Sequence, residues 1–142
     1  MKKLVIIYWS GTGNTEAMAK ALEEGAKIDG VEVKLLPVSA ASVDDVANAD
    51  LVALGCPSMG AEQLEESEME PFVESISSVV KGKKMALFGS YGWGSGEWMQ
   101  DWQERMKGYG AELIDEGFIV NETPDDDALE ECRQLGKSLA KA

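Results

Sequence analysis

Short apolar runs alternate along this chain with longer stretches in which apolar residues recur every three or four positions. Residues 2–8 form the first run. It is continuously apolar from Leu4, the pattern of a strand covered on both faces in a parallel sheet. Over residues 13–27 the period changes, with Ala17, Met18, Ala21 and Leu22 on one helical face. Residues 31–36 alternate as a second strand, entered through Gly30 and stopped by Pro37. Ser42 opens a capping signal and a short helix over residues 42–48. Residues 50–56 predict a third buried strand, closed by Pro57, and a long polar connection covers 58–67. A helix is predicted over 68–80, with Pro71 tolerable only near its first turn. Residues 85–90 predict a fourth strand. A helix over 95–106 then puts Trp98 and Trp102 on one face. The fifth strand spans 112–120, with Gly117 a candidate bulge, and a helix over 125–140 closes the chain with an acidic first turn.

Five strands alternating with five helices predict an α/β fold built on a parallel sheet. There is no internal repeat or linker, and 142 residues suit one full core, so residues 1–142 read as a single domain. Charge narrows the partners. The chain has 26 acidic and 13 basic residues, a net −13. Such a surface repels nucleic acid and anionic membranes and favours basic partner surfaces, although it also serves solubility alone. The absence of histidine removes the commonest general base and zinc ligand, and every Ser-His or Cys-His nucleophile. Cys56 and Cys132 have no metal or redox spacing and read as reduced, buried thiols. The polar stretch from Ser10 to Thr15 cuts the first apolar run too short for a signal sequence, and no run reaches membrane-spanning length. A soluble, cytoplasmic protein is expected.

The candidate chemistry lies in Trp9-Ser10-Gly11-Thr12-Gly13-Asn14-Thr15, between the first strand and the first helix. A helix start offers unpartnered N–H groups and the positive end of a dipole. Gly11 and Gly13 permit close backbone approach, and Ser10, Thr12, Asn14 and Thr15 add side-chain donors. No lysine is present, so this is not a triphosphate loop, and the third glycine of a dinucleotide fingerprint is missing. Hydroxyls and amides suit one terminal phosphate that is held and not transferred. The same residues would also serve as a plain polar turn with Thr12 or Asn14 as cap. In the strand order 2-1-3-4-5 the loops after strands one, three and four share one rim, where ligands of open α/β sheets bind. The second and third of these loops carry Met59 and Trp93, each beside a glycine. A flat aromatic ligand with a phosphate tail would fit between them. Trp93 also suits core packing, but Gly92 and Gly94 on either side favour an exposed loop.

Four segments together are specific: Tyr8 through Thr15, Leu54-Gly55-Cys56-Pro57-Ser58-Met59-Gly60, Glu65-Glu66-Ser67 with Glu70-Pro71-Phe72, and Ala86 through Gly94. Through them the chain resembles the short-chain flavodoxins of clostridial and rumen-anaerobe type along essentially its whole length. Flavodoxins are themselves an example of the switch-point rule used above, so that agreement is no independent test. The resemblance implies a flavodoxin-like three-layer α/β/α sandwich with a five-stranded parallel sheet in the order 2-1-3-4-5. It also implies non-covalently bound FMN. Ser10, Thr12, Gly13, Asn14 and Thr15 would hold the phosphate in a cofactor-binding loop that includes Gly11, and Ser58 and Ser90 would lie near the ribityl chain. Met59 would cover the inner face of the ring and Trp93 the outer face. Glu62 would accept from the ring N3–H. Gly92 and Trp93 amides would meet the pyrimidine edge, within a loop that includes Tyr91 and Gly94. On reduction the Gly60–Ala61 peptide would turn over, and relatives often carry Asp, Asn or Ser where Ala61 stands.

The implied function is a low-potential one-electron carrier passing between oxidised, semiquinone and hydroquinone states. It would be a monomer serving redox proteins with basic docking surfaces, not an enzyme with its own substrate, and it would hold no metal. Three other readings compete. A response-regulator receiver fails because Trp9-Ser10 and Pro57-Ser58 stand where its acids belong. An FMN-dependent NAD(P)H:quinone reductase needs room over the ring that a stacked Trp93 would fill. An activator of another enzyme's radical cofactor would use the same site.

Overall fold

The computed structural model describes residues 1–60 and 62–142. Its central strands are the apolar runs: β1 (Lys2–Tyr8), β3 (Leu51–Gly55) and β4 (Lys84–Tyr91). With β2 (Val31–Pro37), β5 (Glu112–Leu113) and β6 (Phe118–Asn121) they form one parallel sheet in the order β2-β1-β3-β4-β5, β6 also pairing with β4. The helices are α1 (Asn14–Ala26), α2 (Val43–Ala47), α3 (Met69–Ser75), α4 (Glu97–Gly108) and α5 (Asp126–Ala140). Among the described residues no helix is long and apolar enough to cross a membrane.

Strand alternation divides the core in two. On one face Val5, Ile7, Val52, Leu54 and Leu87 pack against Met69, Val73, Trp98, Trp102 and Met106 of α3 and α4. On the other face Leu4, Ile6, Ala53 and Phe88 meet Met18 and Leu22 of α1, and Cys132 and Leu139 of α5. The result is the expected α/β/α sandwich. Helices α1 and α5 approach backbone to backbone: a Cβ on Gly25 would stand 1.8 Å from the Arg133 carbonyl oxygen, and one on Gly136 2.0 Å from that of Leu22.

Two elements depart from the sequence expectation. The fifth strand is not continuous. Lys84 pairs with Glu112 but Phe88 with Phe118, so the edge carries two more residues than β4 between those pairs. The break ends at Gly117, where a bulge was expected. The Met99 side chain leaves no room for a Cβ there, and the Gly117 amide donates to Gln103 Oε1. Helix α3 ends at Ser75 and gives way to turns, with Ile76 and Val80 still buried.

The parallel connections deliver helix N-termini to the carboxyl end of the sheet. There α2 has a capping box of Ser42 and Asp45, and Asp125 accepts from the Ala128 amide at 2.8 Å to cap α5. The buried Glu65 carboxylate accepts from the amides of Glu68 and Met69 at the start of α3, at 2.7 and 3.1 Å.

Candidate functional site

Among the described residues no carboxylate caps the N-terminus of α1. Ser10 Oγ accepts from the amides of Gly13 and Glu16 at 3.1 and 3.2 Å, which leaves the hydroxyl proton free to donate outward. Gly13 precedes the helix in the left-handed region, at φ +97°. The amides of Gly11, Thr12, Asn14 and Thr15 have no acceptor among the described residues. Glu16 sits in the first turn, but its carboxylate accepts from Tyr8 Oη at 2.9 Å. That contact, after burial itself, raises the Tyr8 pKa. The loop is therefore a set of convergent neutral donors at a positive helix end, the arrangement that binds an anion.

Thr15 is buried, and its hydroxyl lies 3.2 Å from Ser90 Oγ. One of the two donates to the other, so the pair ties the loop to the end of β4 and keeps one proton to offer. From β3 the chain continues with the Ser58 amide donating to the Ser90 carbonyl at 3.0 Å. Met59 and Gln63 then exchange backbone bonds of 2.9 and 3.0 Å, closing a turn with Gly60 at φ +50°. Ala61 lies outside the described residues, and the expectation for the Gly60–Ala61 peptide falls there.

Glu62 has a partner that the sequence does not reveal. Its Oε1 accepts from the amides of Gly96 and Glu97 at 3.0 and 3.2 Å, capping α4 across the rim. Gly94 turns at φ +90°, a conformation that favours glycine, and a Cβ there would also meet this carboxylate at 2.4 Å. Tyr91 packs against Trp98 with ring centroids 5.7 Å apart, and Trp93 stands 65% exposed, so it is not a core residue.

A cleft of about 450 Å³ joins the three loops. Ser10, Gly11, Thr12, Asn14 and Thr15 line one end, Pro57, Ser58 and Met59 another wall, and Ser90, Tyr91 and Gly92 a third. Trp9 completes the lining beside the first loop. Gly13 instead borders a second hollow of about 430 Å³ behind that loop, with Tyr8, Glu16 and Glu68. Gly60, Glu62, Trp93 and Gly94 belong to the surrounding loops without lining the cleft. Sequence reading misses Glu122 and Thr123, which follow β6 and line the cleft as well. The only local sign would have been a polar break after an apolar run.

Two titrating groups border the site. Burial would raise the Glu65 pKa, but donors from Ser67, Glu68 and Met69 outweigh it and hold the carboxyl below its ordinary range. Burial pushes the Cys56 thiol up to about 12, which leaves it unreactive.

The flavodoxin family model matches residues 6–136. The chain is 50% identical over 135 residues to a flavodoxin of Clostridium beijerinckii, covering 95% of this chain and 97% of that one. It is 52% identical over 137 residues to a flavodoxin of Megasphaera elsdenii, with 96% and 98% covered. The solution structure of two-electron reduced Megasphaera elsdenii flavodoxin superposes with a TM-score of 0.88 over 98% of this chain and 99% of that one, at 52% identity.

Proposed function

The chain belongs to the flavodoxin family, and on that premise we propose that it is a low-potential one-electron carrier holding FMN non-covalently. Flavodoxins are flavin-binding electron carriers rather than enzymes. The observation that carries the finer reading is the N-terminus of α1. It offers four free amides and the Ser10 hydroxyl, no basic side chain, and an adjoining cleft of about 450 Å³. A phosphate on α1 directs the rest of the ligand along Ser58 and Ser90 towards Met59, Tyr91 and Gly92. The cleft volume is in the range of small-molecule sites. Trp93 is exposed beside it, available to cover a ring. Bound FMN would supply the redox chemistry, and the protein would supply position and electric field.

That field opposes added negative charge. The net charge is −13, and Glu62, Glu65, Glu66 and Glu68 all lie in the loop following Met59. Like charge near a site with limited water access disfavours the second electron more than the first. The exposed Glu66, Glu68, Glu97 and Asp101 near this rim suit a basic docking surface on a redox partner.

Anaerobic dithionite titration of the FMN-loaded protein tests this. Passage through a stable long-wavelength one-electron species, with no bleaching by NAD(P)H, supports the carrier. Direct two-electron bleaching by NAD(P)H with turnover of quinones would assign a reductase instead.

A further inference from the structure

We propose that Tyr8 is a positioning residue of the anion seat: its hydroxyl holds the Glu16 carboxylate away from the start of α1, where that carboxylate would otherwise cap the helix in place of a phosphate. The inference deepens the reading of the cleft as an FMN site and rests on it.

Glu16 is the third residue of α1, with Gly13 at the cap position. From there a glutamate side chain reaches back to the amide of the cap residue, as one half of a capping box. The same geometry is complete at α2, where the Asp45 carboxylate, third in its helix, accepts from the Ser42 amide at 2.8 Å. At α1 both halves are diverted. The Gly13 amide donates to Ser10 Oγ at 3.1 Å, and Glu16 Oε2 accepts from Tyr8 Oη at 2.9 Å. Tyr8 is the last residue of β1 and is buried in the core with Leu4, Ile6 and Met18, so its hydroxyl has a fixed place beside the first turn of α1. Burial, and then Glu16, raise its pKa above the ordinary tyrosine value, which keeps the donated proton in place at neutral pH.

The next residue repeats the pattern, because Trp9 Nε1 donates to Glu68 Oε1 at 3.3 Å. Glu16 and Glu68 are the charged side chains that line the hollow behind the loop, and each is held by one of the two aromatic residues leading out of β1. Of the two, Glu16 belongs to α1 itself, so its release leaves it within reach of that helix's unpartnered amides. A carboxylate there would satisfy amides and neutralise the helix end, as Glu62 does at α4, and it would repel a phosphate.

Tyr8→Phe keeps the ring in the core and removes only the hydroxyl. Apoproteins of Tyr8→Phe, Glu16→Ala and the double variant are titrated with FMN and with riboflavin. Tyr8→Phe is expected to bind FMN about tenfold more weakly, an effect of the size of one helix cap, and to bind riboflavin as the parent does. Glu16→Ala should bind FMN at least as tightly as the parent, and adding it to Tyr8→Phe should restore the parent affinity. An unchanged ratio of FMN to riboflavin affinity in Tyr8→Phe, or a loss that Glu16→Ala does not restore, would overturn this inference and leave the FMN reading standing. A parent apoprotein that takes up no FMN would overturn both.

Discussion

Helices α1 and α4 begin alike and end up as opposites. Each is preceded by a glycine in the left-handed region, Gly13 at φ +97° and Gly96 at φ +88°, and neither glycine can cap with a side chain. Each borrows its cap from elsewhere. Helix α4 receives a carboxylate, Glu62, from a loop more than thirty residues away, whereas α1 receives the neutral Ser10 hydroxyl. The carboxylate satisfies two amides and neutralises the positive end of α4 from within. The hydroxyl satisfies two amides of α1 and leaves the dipole, four amides and its own proton facing outward. Helices α2, α3 and α5 follow α4, each with an Asp or Glu carboxylate in its cap. Among the described residues one helix start at this rim keeps its amides without a carboxylate, and it opens on the cleft.

Giving α1 a cap of the α4 kind should produce the largest effect. In Ser10→Asp the cap survives, because Asp and Ser cap about equally well, so thermal stability should change little. FMN affinity should fall by about 100-fold or more as carboxylate meets phosphate, read by quenching of flavin fluorescence. Glu65→Gln removes the charge that the start of α3 relies on. A loss of about 1–3 kcal/mol in urea unfolding at neutral pH is expected. The Glu65 pKa is held below its ordinary range in the fold. Its contribution is therefore complete at neutral pH and is lost as pH falls through the folded pKa, so the variant should lose less stability than the parent on acidification. Glu62→Gln keeps an acceptor but loses the charge at α4, and should cost roughly 1 kcal/mol. Trp93→Ala should be the mildest, within about 0.5 kcal/mol in stability because the side chain is exposed. A loss of flavin affinity in that variant then reports stacking alone.

The contrast between the two helix starts was half legible in the sequence. The strand–loop–helix pattern of residues 2–27 marks α1 and its donors directly, since every participating residue is local. The apolar runs likewise fix β1, β3 and β4, and the Trp98–Trp102 spacing fixes the buried face of α4. The cap on α4 was not legible, because Glu62 reaches Gly96 only through the fold and its acidity suits a ligand role equally well. The split edge strand was hidden for a related reason. Residues 112–120 look continuous, and only pairing with β4 exposes the two surplus residues. Glu122 and Thr123 were missed with it, since no glycine or motif marks them and their place in the cleft follows from that pairing.

The most direct test of the neutral phosphate seat is equilibrium titration of the apoprotein with FMN and riboflavin at low and high salt. Amides and hydroxyls inside a net-negative protein should bind FMN at least about 100-fold tighter than riboflavin, with an FMN affinity that rises as salt screens the surrounding acids. Equal affinity for the two flavins, or an FMN affinity that falls with salt as it would for a basic clamp, would contradict it.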